Sequence, residues 1–210
     1  MKRLFFVAIS ALMMLTGVNA SAQGKFGADS AECIKYLSYY QEYYKAKNYD
    51  DALPNWRKAY KLCPPTANQN MLLNGTTLLR REVTKVKDAA ARNAVIDSLL
   101  TLSDLRAEYY PKYATAALNA KGKDIFNYVK NDPQKLYDQF TSIIETLKDD
   151  TTPTFYLYRL NAAIELFNQG QFDAEKIINL YQESIAALDT NKEDAEAVPQ
   201  VKTDVESLFI

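Results

Sequence analysis

Histidine does not occur anywhere among the 210 residues, and its absence excludes several classes of function at once. It is the side chain that most often acts as a general base near neutral pH, and it is a common ligand of zinc and haem iron. The usual serine triad also needs it. We therefore expect no catalytic residues, no metal site and no cofactor, and we predict that the chain is not an enzyme.

Glycine and cysteine are also scarce, at six and two residues. No phosphate-binding glycine loop is found, because Lys121-Gly122-Lys123 lacks the preceding glycine and the strand-to-helix setting. The two cysteines are too far apart for a Cys-x-x-Cys redox pair or a metal knuckle. The carboxylate pairs Asp50-Asp51 and Asp149-Asp150 fall in predicted turns, where helix capping and solvation explain them.

The chain also lacks an excess of either charge, since it has 25 basic and 26 acidic residues. Proteins that bind nucleic acid or anionic membrane surfaces usually carry a basic excess or a basic patch. We therefore expect no nucleic-acid partner.

The N-terminus has the three parts of a secretory signal peptide. Lys2 and Arg3 are followed by a mostly apolar run, 4–18, and then by Ala20-Ser21-Ala22, a small-x-small cleavage pattern. A membrane anchor is the alternative, but the run is shorter than the roughly 20 residues that span a bilayer. We predict that 1–22 is removed and that 23–210 is a periplasmic protein without a transmembrane anchor, with outer-membrane association through a partner left open.

Nearly every segment of 23–210 has helical periodicity, and none alternates like a strand. Asp132-Pro133 marks a helix start, whereas Lys121-Gly122-Lys123 is compatible with either a turn or a kinked continuation. We predict an all-α domain of antiparallel helix hairpins at about 30–63, 66–110, 111–148 and 153–189, followed by a partial helix at 199–210.

The first hairpin carries a distinctive pattern of aromatic and small residues. Five tyrosines fall on one helical stripe, at Tyr36, Tyr39, Tyr40, Tyr43 and Tyr44. The next helix has an aromatic at the turn, a small residue, a large aromatic, another small residue and a closing proline, namely Tyr49, Ala52, Trp56, Ala59 and Pro64. This order and length resemble the tetratricopeptide repeat (TPR). The fourth hairpin echoes it loosely, at Phe172-Asp173-Ala174.

The resemblance implies a right-handed superhelix of stacked hairpins. It implies packing anchors in the first hairpin at Tyr36, Tyr40, Tyr43, Tyr49, Ala52, Trp56, Ala59 and Pro64. In that family the concave surface is formed by first-helix residues offset from the packing set. Transferred to this chain, the rule gives a binding face at Ile34, Leu37, Gln41 and Tyr44.

The two cysteines occupy neighbouring ends of the predicted first hairpin. Cys33 lies at the start of the first helix and Cys63 at the end of its antiparallel partner. Two thiols in an exported chain favour a disulfide, and adjacent helix ends supply the short Cα separation that it needs. The alternative is a pair of unbonded thiols, one of them buried as a small apolar group.

Stacked helical hairpins provide a long surface that is suited to docking rather than to catalysis. We therefore expect a scaffold that binds a protein or an extended peptide in the envelope of a Gram-negative bacterium. The alternative is a glycan- or cell-wall-binding module that uses exposed tyrosines. Burial of Tyr36, Tyr39 and Tyr43 would favour protein docking, whereas a row of exposed coplanar rings would favour carbohydrate.

Overall fold

A computed structural model describes residues 24–129 and 131–209 of the chain, so the predicted signal peptide lies outside the described residues. Within these ranges the secondary structure is helical, with no strand, which confirms the predicted all-α class. The α-helices are α1 (Ser30–Lys45), α2 (Tyr49–Leu62), α3 (Gln69–Lys85), α4 (Ala89–Tyr109), α5 (Ala114–Tyr128), α6 (Pro133–Leu147), α7 (Thr154–Asn168), α8 (Ala174–Asp189) and α9 (Val198–Ser207).

Short polar side chains set the starts of several helices. Asn48, Asp88, Asp132 and Asp173 each accept a hydrogen bond from a backbone N–H in the first turn of the following helix. Such caps satisfy donors that have no partner inside the helix. Proline at the first position of α6 adds to the signal, because its missing N–H costs nothing there.

Contacts between alternate helices arrange the fold in two layers. In one layer, Asn74 of α3 lies beside Tyr40 of α1, and Arg80 of α3 pairs with Asp124 of α5. Gly122 of α5 then meets the ring of Phe155 on α7. We call α1, α3, α5 and α7 the odd layer.

The other layer contains α2, α4, α6 and α8. Trp56 of α2 and Val95 of α4 border one cleft, and Lys135 of α6 pairs with Asp97 of α4. The Lys176 ammonium of α8 lies 5.6 Å from the ring centroid of Tyr137 on α6. Helices adjacent in sequence pack across the two layers.

The pairing of consecutive helices changes along the chain. In the first half, α1 packs most extensively on α2, and α3 on α4. In the second half, α6 packs more extensively on α7 than α5 does on α6 or α7 on α8. The third and fourth hairpins were predicted at 111–148 and 153–189. The strongest pairing there is between α6, the last helix of the third hairpin, and α7, the first helix of the fourth.

Trp56 is the central side chain of the first half. Its ring is 2% exposed, stacks on Tyr60 and donates a hydrogen bond from Nε1 to the Met71 carbonyl oxygen at 2.8 Å. A Cβ atom on Gly75 of α3 would lie 2.4 Å from the Trp56 ring. Glycine at this position therefore permits the indole to pack directly on the backbone of α3.

The first hairpin is closed by the Cys33–Cys63 disulfide. The sulfur atoms are bonded, the Cα atoms are 5.1 Å apart, and both residues are buried. Gly27, with φ +78°, brings the segment before α1 against Pro64 at the same end of the hairpin. Antiparallel pairing thus places the two helix ends together, as expected from their positions in the sequence.

The last helix, α9, covers one end of the hydrophobic core that α5, α6, α7 and α8 share. α9 contacts both α7 and α8, and its own residues Val201 and Val205 are buried. The Phe209 ring lies 4.7 Å from that of Tyr181. No helix in the described part of the chain is both long and apolar enough to cross a bilayer.

Candidate functional site

The four residues predicted to form a binding face do not form one surface. Leu37 is buried, 5% exposed, because it lies on the core side of α1 together with Cys33 and Tyr40. Ile34 is exposed at 45%, whereas Gln41 and Tyr44 are half-buried. The Tyr44 ring packs edge-to-face on Tyr49 at 5.4 Å. Leu37 therefore cannot contribute to an exposed binding face.

The tyrosine stripe of α1 also needs correction. Tyr40 is fully buried, but Tyr36 is only half-buried, and Tyr39 and Tyr43 are 44% and 39% exposed. Residues three and four apart differ by about 60° and 40° around a helix, so Tyr43 and Tyr36 lie on one flank while Tyr40 faces the core. Tyr36 and Tyr39 have perpendicular rings, at 88°, and so do not form a flat platform.

The predicted anchors of α2 lie in the interior. Ala52, Trp56 and Ala59 are buried, and Tyr49 and Pro64 are half-buried at the two ends of the helix. Burial raises the pKa of the Tyr40 hydroxyl, which faces them from α1, although Gln41 and Asn74 nearby partly oppose that rise. This region is a packed core, bordered on the α4 side by a cleft of about 260 Å³ that Trp56 and Tyr60 help to line.

A groove opens instead at the second half of the odd layer. Its first compartment, of about 450 Å³, lies where α5 ends and α6 begins, alongside α7. The floor is apolar and the rim carries amides and one carboxylate. The lining residues are Phe126, Asn131, Pro133, Leu136, Phe140, Tyr158, Asn161, Ala162, Glu165 and Gln169.

A second compartment, of about 290 Å³, adjoins the first between α5 and α7, and we call the two together the groove. It shares two walls with the first, the rings of Phe126 and Tyr158, which are stacked with centroids 4.3 Å apart. Phe126 is 46% exposed, although it is a large apolar residue. The remaining lining residues are Lys123, Asn127, Thr152, Thr154 and Phe155.

Glycine 122 sets the distance between the two helices that form the groove. A Cβ atom at this position would lie 2.1 Å from Cζ of Phe155, so only glycine lets the ring rest on the α5 backbone. Phe155 in turn packs on Phe140, with centroids 5.2 Å apart. The close approach brings Phe126 and Tyr158 into contact one turn further along. Lys121-Gly122-Lys123 lies inside α5, so of the two alternatives it continues the helix and does not form a turn.

Two ion pairs hold α5 against its other neighbours. Asp124, 3% exposed, accepts two hydrogen bonds from the Arg80 guanidinium at 2.7 and 2.8 Å, which raises the pKa of Arg80. Lys121, 5% exposed, donates to both carboxylate oxygens of Asp104 on α4. Charge-assisted bonds of this geometry are directional. They fix the wall of the groove that α5 supplies.

The chemistry of the groove is suited to recognition. Side-chain amides at Asn127, Asn131, Asn161 and Gln169 each offer donors and an acceptor above the apolar floor. No nucleophile–base pair lies there. Across the described ranges, no three acidic or cysteine side chains group closely enough to hold a metal ion.

Sequence reasoning did not identify this groove. Phe126 and Tyr158 are ordinary aromatic residues on amphipathic helices, and their exposure depends on a contact between segments more than thirty residues apart. One usable signal was Gly122 inside a helical pattern, because such a glycine often marks a close approach of two elements.

Comparison with known proteins does not identify a relative. No protein-family model, no curated protein and no solved structure matches this chain.

Proposed function

We propose that this chain is an exported binding scaffold that holds an extended segment of a partner protein in the groove between α5, α6 and α7. The observation that carries the proposal is an apolar groove rimmed by amides around the stacked Phe126–Tyr158 pair. The function involves binding without catalysis and requires neither a metal nor a cofactor.

An extended peptide fits this groove better than a helix does. The backbone N–H and C=O groups of an extended segment have no internal partners and need external ones. Asn127, Asn131 and Asn161 offer both kinds of partner along the rim. The floor at Leu136 and Phe140 accepts one large apolar side chain as the anchor. A few such anchors supply most of the affinity in protein interfaces.

The arrangement of the helices supports a TPR-like scaffold. Side-chain contacts join α3 to α5 and α5 to α7, as expected if alternate helices lie side by side. The resemblance in the first hairpin suggested that the odd layer binds the partner. We move the binding site from α1 to the α5–α7 end, where the groove is open and the side chains are accessible.

Export from the cytoplasm is part of the proposal. The Cys33–Cys63 disulfide is of the kind that persists in oxidising compartments such as the periplasm. The signal-peptide pattern at 1–22 suggests the route. The partner is accordingly sought among envelope proteins. On α1 the burial that would favour protein docking is not met, because Tyr39 and Tyr43 are exposed. Binding of glycans there also lacks its expected feature, since the Tyr36 and Tyr39 rings are perpendicular and not coplanar.

Peptide selection tests the proposal directly. Random dodecapeptides displayed on phage would be panned on purified 23–210 and, in parallel, on an Asn161→Arg variant. Asn161 is exposed on the rim, so the longer side chain fills the groove without disturbing the core. Asn179→Arg, at an exposed position of α8, is the matched control.

We expect peptides with a large apolar residue to be enriched on the parent and on Asn179→Arg and to be lost on Asn161→Arg. Circular dichroism would verify that all three proteins fold alike. Equal recovery of the peptides on the folded Asn161→Arg variant, or no enrichment on the parent, would refute binding in this groove.

A further inference from the structure

We infer that the segment bound in the groove carries opposite charges on the two sides of its apolar anchor, an acidic group toward Lys123 and a basic group toward Glu165. This charge pattern, which rests on the proposed function, would define the class of partner sequence. Each compartment has one charged residue among its described lining residues, and the two are of opposite sign.

The lining of α7 gives the groove a direction. Four residues recur at spacings of four, three and four, and so share one face of the helix. Thr154 lines the second compartment, Tyr158 lines both, and Asn161 and Glu165 line the first. Eleven residues of helix span about 16 Å, which is the length of roughly five residues of an extended chain.

The two charges therefore belong to opposite ends of this track. Lys123 precedes Phe126 by three residues on α5 and lines the compartment that contains Thr154. Glu165 lies two turns beyond Tyr158 on α7. Suppose that the apolar anchor of the ligand lies beside Tyr158 and Asn161. The ligand residues about two positions before and after the anchor would then lie near Lys123 and Glu165.

Both charges are available to a ligand. Lys123 and Glu165 are exposed, and neither takes part in an ion pair within 24–129 and 131–209. By contrast, Lys121 and Asp124, which flank Lys123 on α5, are buried in ion pairs that hold the helix in place. Lys123 is thus the cation of α5 that faces the groove, and it does not contribute to those structural pairs.

Complementary charges at the rim of a site mainly select among partners. Each pair is solvent-exposed, so its effect is modest and decreases with salt. Reversing one charge would convert attraction into repulsion and weaken a matched peptide roughly three- to tenfold. Binding of the apolar anchor would remain.

The test uses a peptide selected on the parent protein and labelled for fluorescence anisotropy. Its affinity would be measured on Lys123→Glu, on Glu165→Lys and on the double variant. Lys87→Glu and Glu193→Lys, both in exposed connections, are the matched controls. A second peptide would carry the two flanking charges exchanged.

We expect each single variant to weaken the first peptide roughly three- to tenfold and the double variant to prefer the exchanged peptide. The preferences should shrink as sodium chloride is raised from low to high concentration. Selected peptides without opposite flanking charges, or equal affinities on all variants, would overturn the charge assignment. If such peptides still fail to bind the Asn161→Arg variant, the groove function survives and only the charge assignment fails.

Discussion

Replacing Gly122 by alanine should destabilise the protein, although the same change in an ordinary helix is stabilising. The added Cβ would lie 2.1, 2.3 and 2.8 Å from three ring carbons of Phe155. Carbon atoms in favourable contact are about 3.5–4.0 Å apart. The ring would therefore have to retreat by more than about 1 Å. Phe155 is 1% exposed and packs on Phe140, so the ring cannot retreat toward Phe140 without disturbing the core.

The magnitude follows from two opposing terms. Alanine in place of glycine favours a helix by about 1 kcal/mol. Forcing extra volume into a packed core costs about 1–3 kcal/mol, and occasionally more. Because the overlap here involves the rigid edge of a buried ring, we place the cost at the upper end and expect a net loss of about 1–2 kcal/mol. For a chain of this size that lowers Tm by roughly 2–8 °C.

A double-mutant cycle identifies the cause. Leucine at position 155 lacks the ring-edge carbons that meet position 122, so Gly122→Ala should become neutral or stabilising in a Phe155→Leu background. Urea denaturation followed by circular dichroism gives the four free energies of unfolding. A Gly122→Ala protein at least as stable as the parent, with Phe155 unchanged, would show that the two helices do not approach as closely as described.

Three further predictions concern stability. Replacing Cys33 and Cys63 by serine should lower the free energy of unfolding by roughly 3–4 kcal/mol in the chain-entropy model, and an unchanged urea midpoint would contradict a closed bridge. Arg80→Met, which leaves buried Asp124 unpaired, should cost roughly 3 kcal/mol and be partly rescued by Asp124→Leu, whereas an additive pair would exclude coupling. Burial raises the pKa of Tyr40 above its unfolded value, so the contribution of Tyr40 to stability should be fully present below about pH 10 and be lost as the pH rises further. Tyr40→Phe should therefore reduce the fall in stability measured by alkaline unfolding, and an unchanged alkaline transition would contradict this assignment.

The helices could be predicted from local signals. Asp132-Pro133 marks a start because a capping carboxylate and a proline without an N–H both suit the first turn, and α6 begins there. The start of α2 is also marked by a local signal, since the side chain of Asn48 caps this helix. The disulfide followed as well, because antiparallel pairing alone brings the two ends of the hairpin together.

The buried face of α1 could not be predicted in the same way. Five tyrosines spread over a wide arc of the helix, and the core accommodates only the part that contains Tyr40. Leu37 was assigned to the surface by analogy with a repeat, but α1 is rotated so that this residue packs between Cys33 and Tyr40. Periodicity fixes which residues share a side and leaves undetermined which side faces the core.

Two helical glycines explain why the groove could not be predicted from local sequence patterns. Gly75 and Gly122 each allow an aromatic ring, Trp56 or Phe155, to pack on a helix backbone of the odd layer. At Gly75 the indole packs between α2 and α3 and borders the cleft toward α4. At Gly122 the ring of Phe155 lies beneath the groove, and the next aromatic of α5, Phe126, is left exposed against α7. The same packing of a ring on a helical glycine thus occurs in both halves of the chain, but only at Gly122 does it lie beneath the groove with the exposed Phe126. This is why we propose a binding site beside α5 rather than on α1.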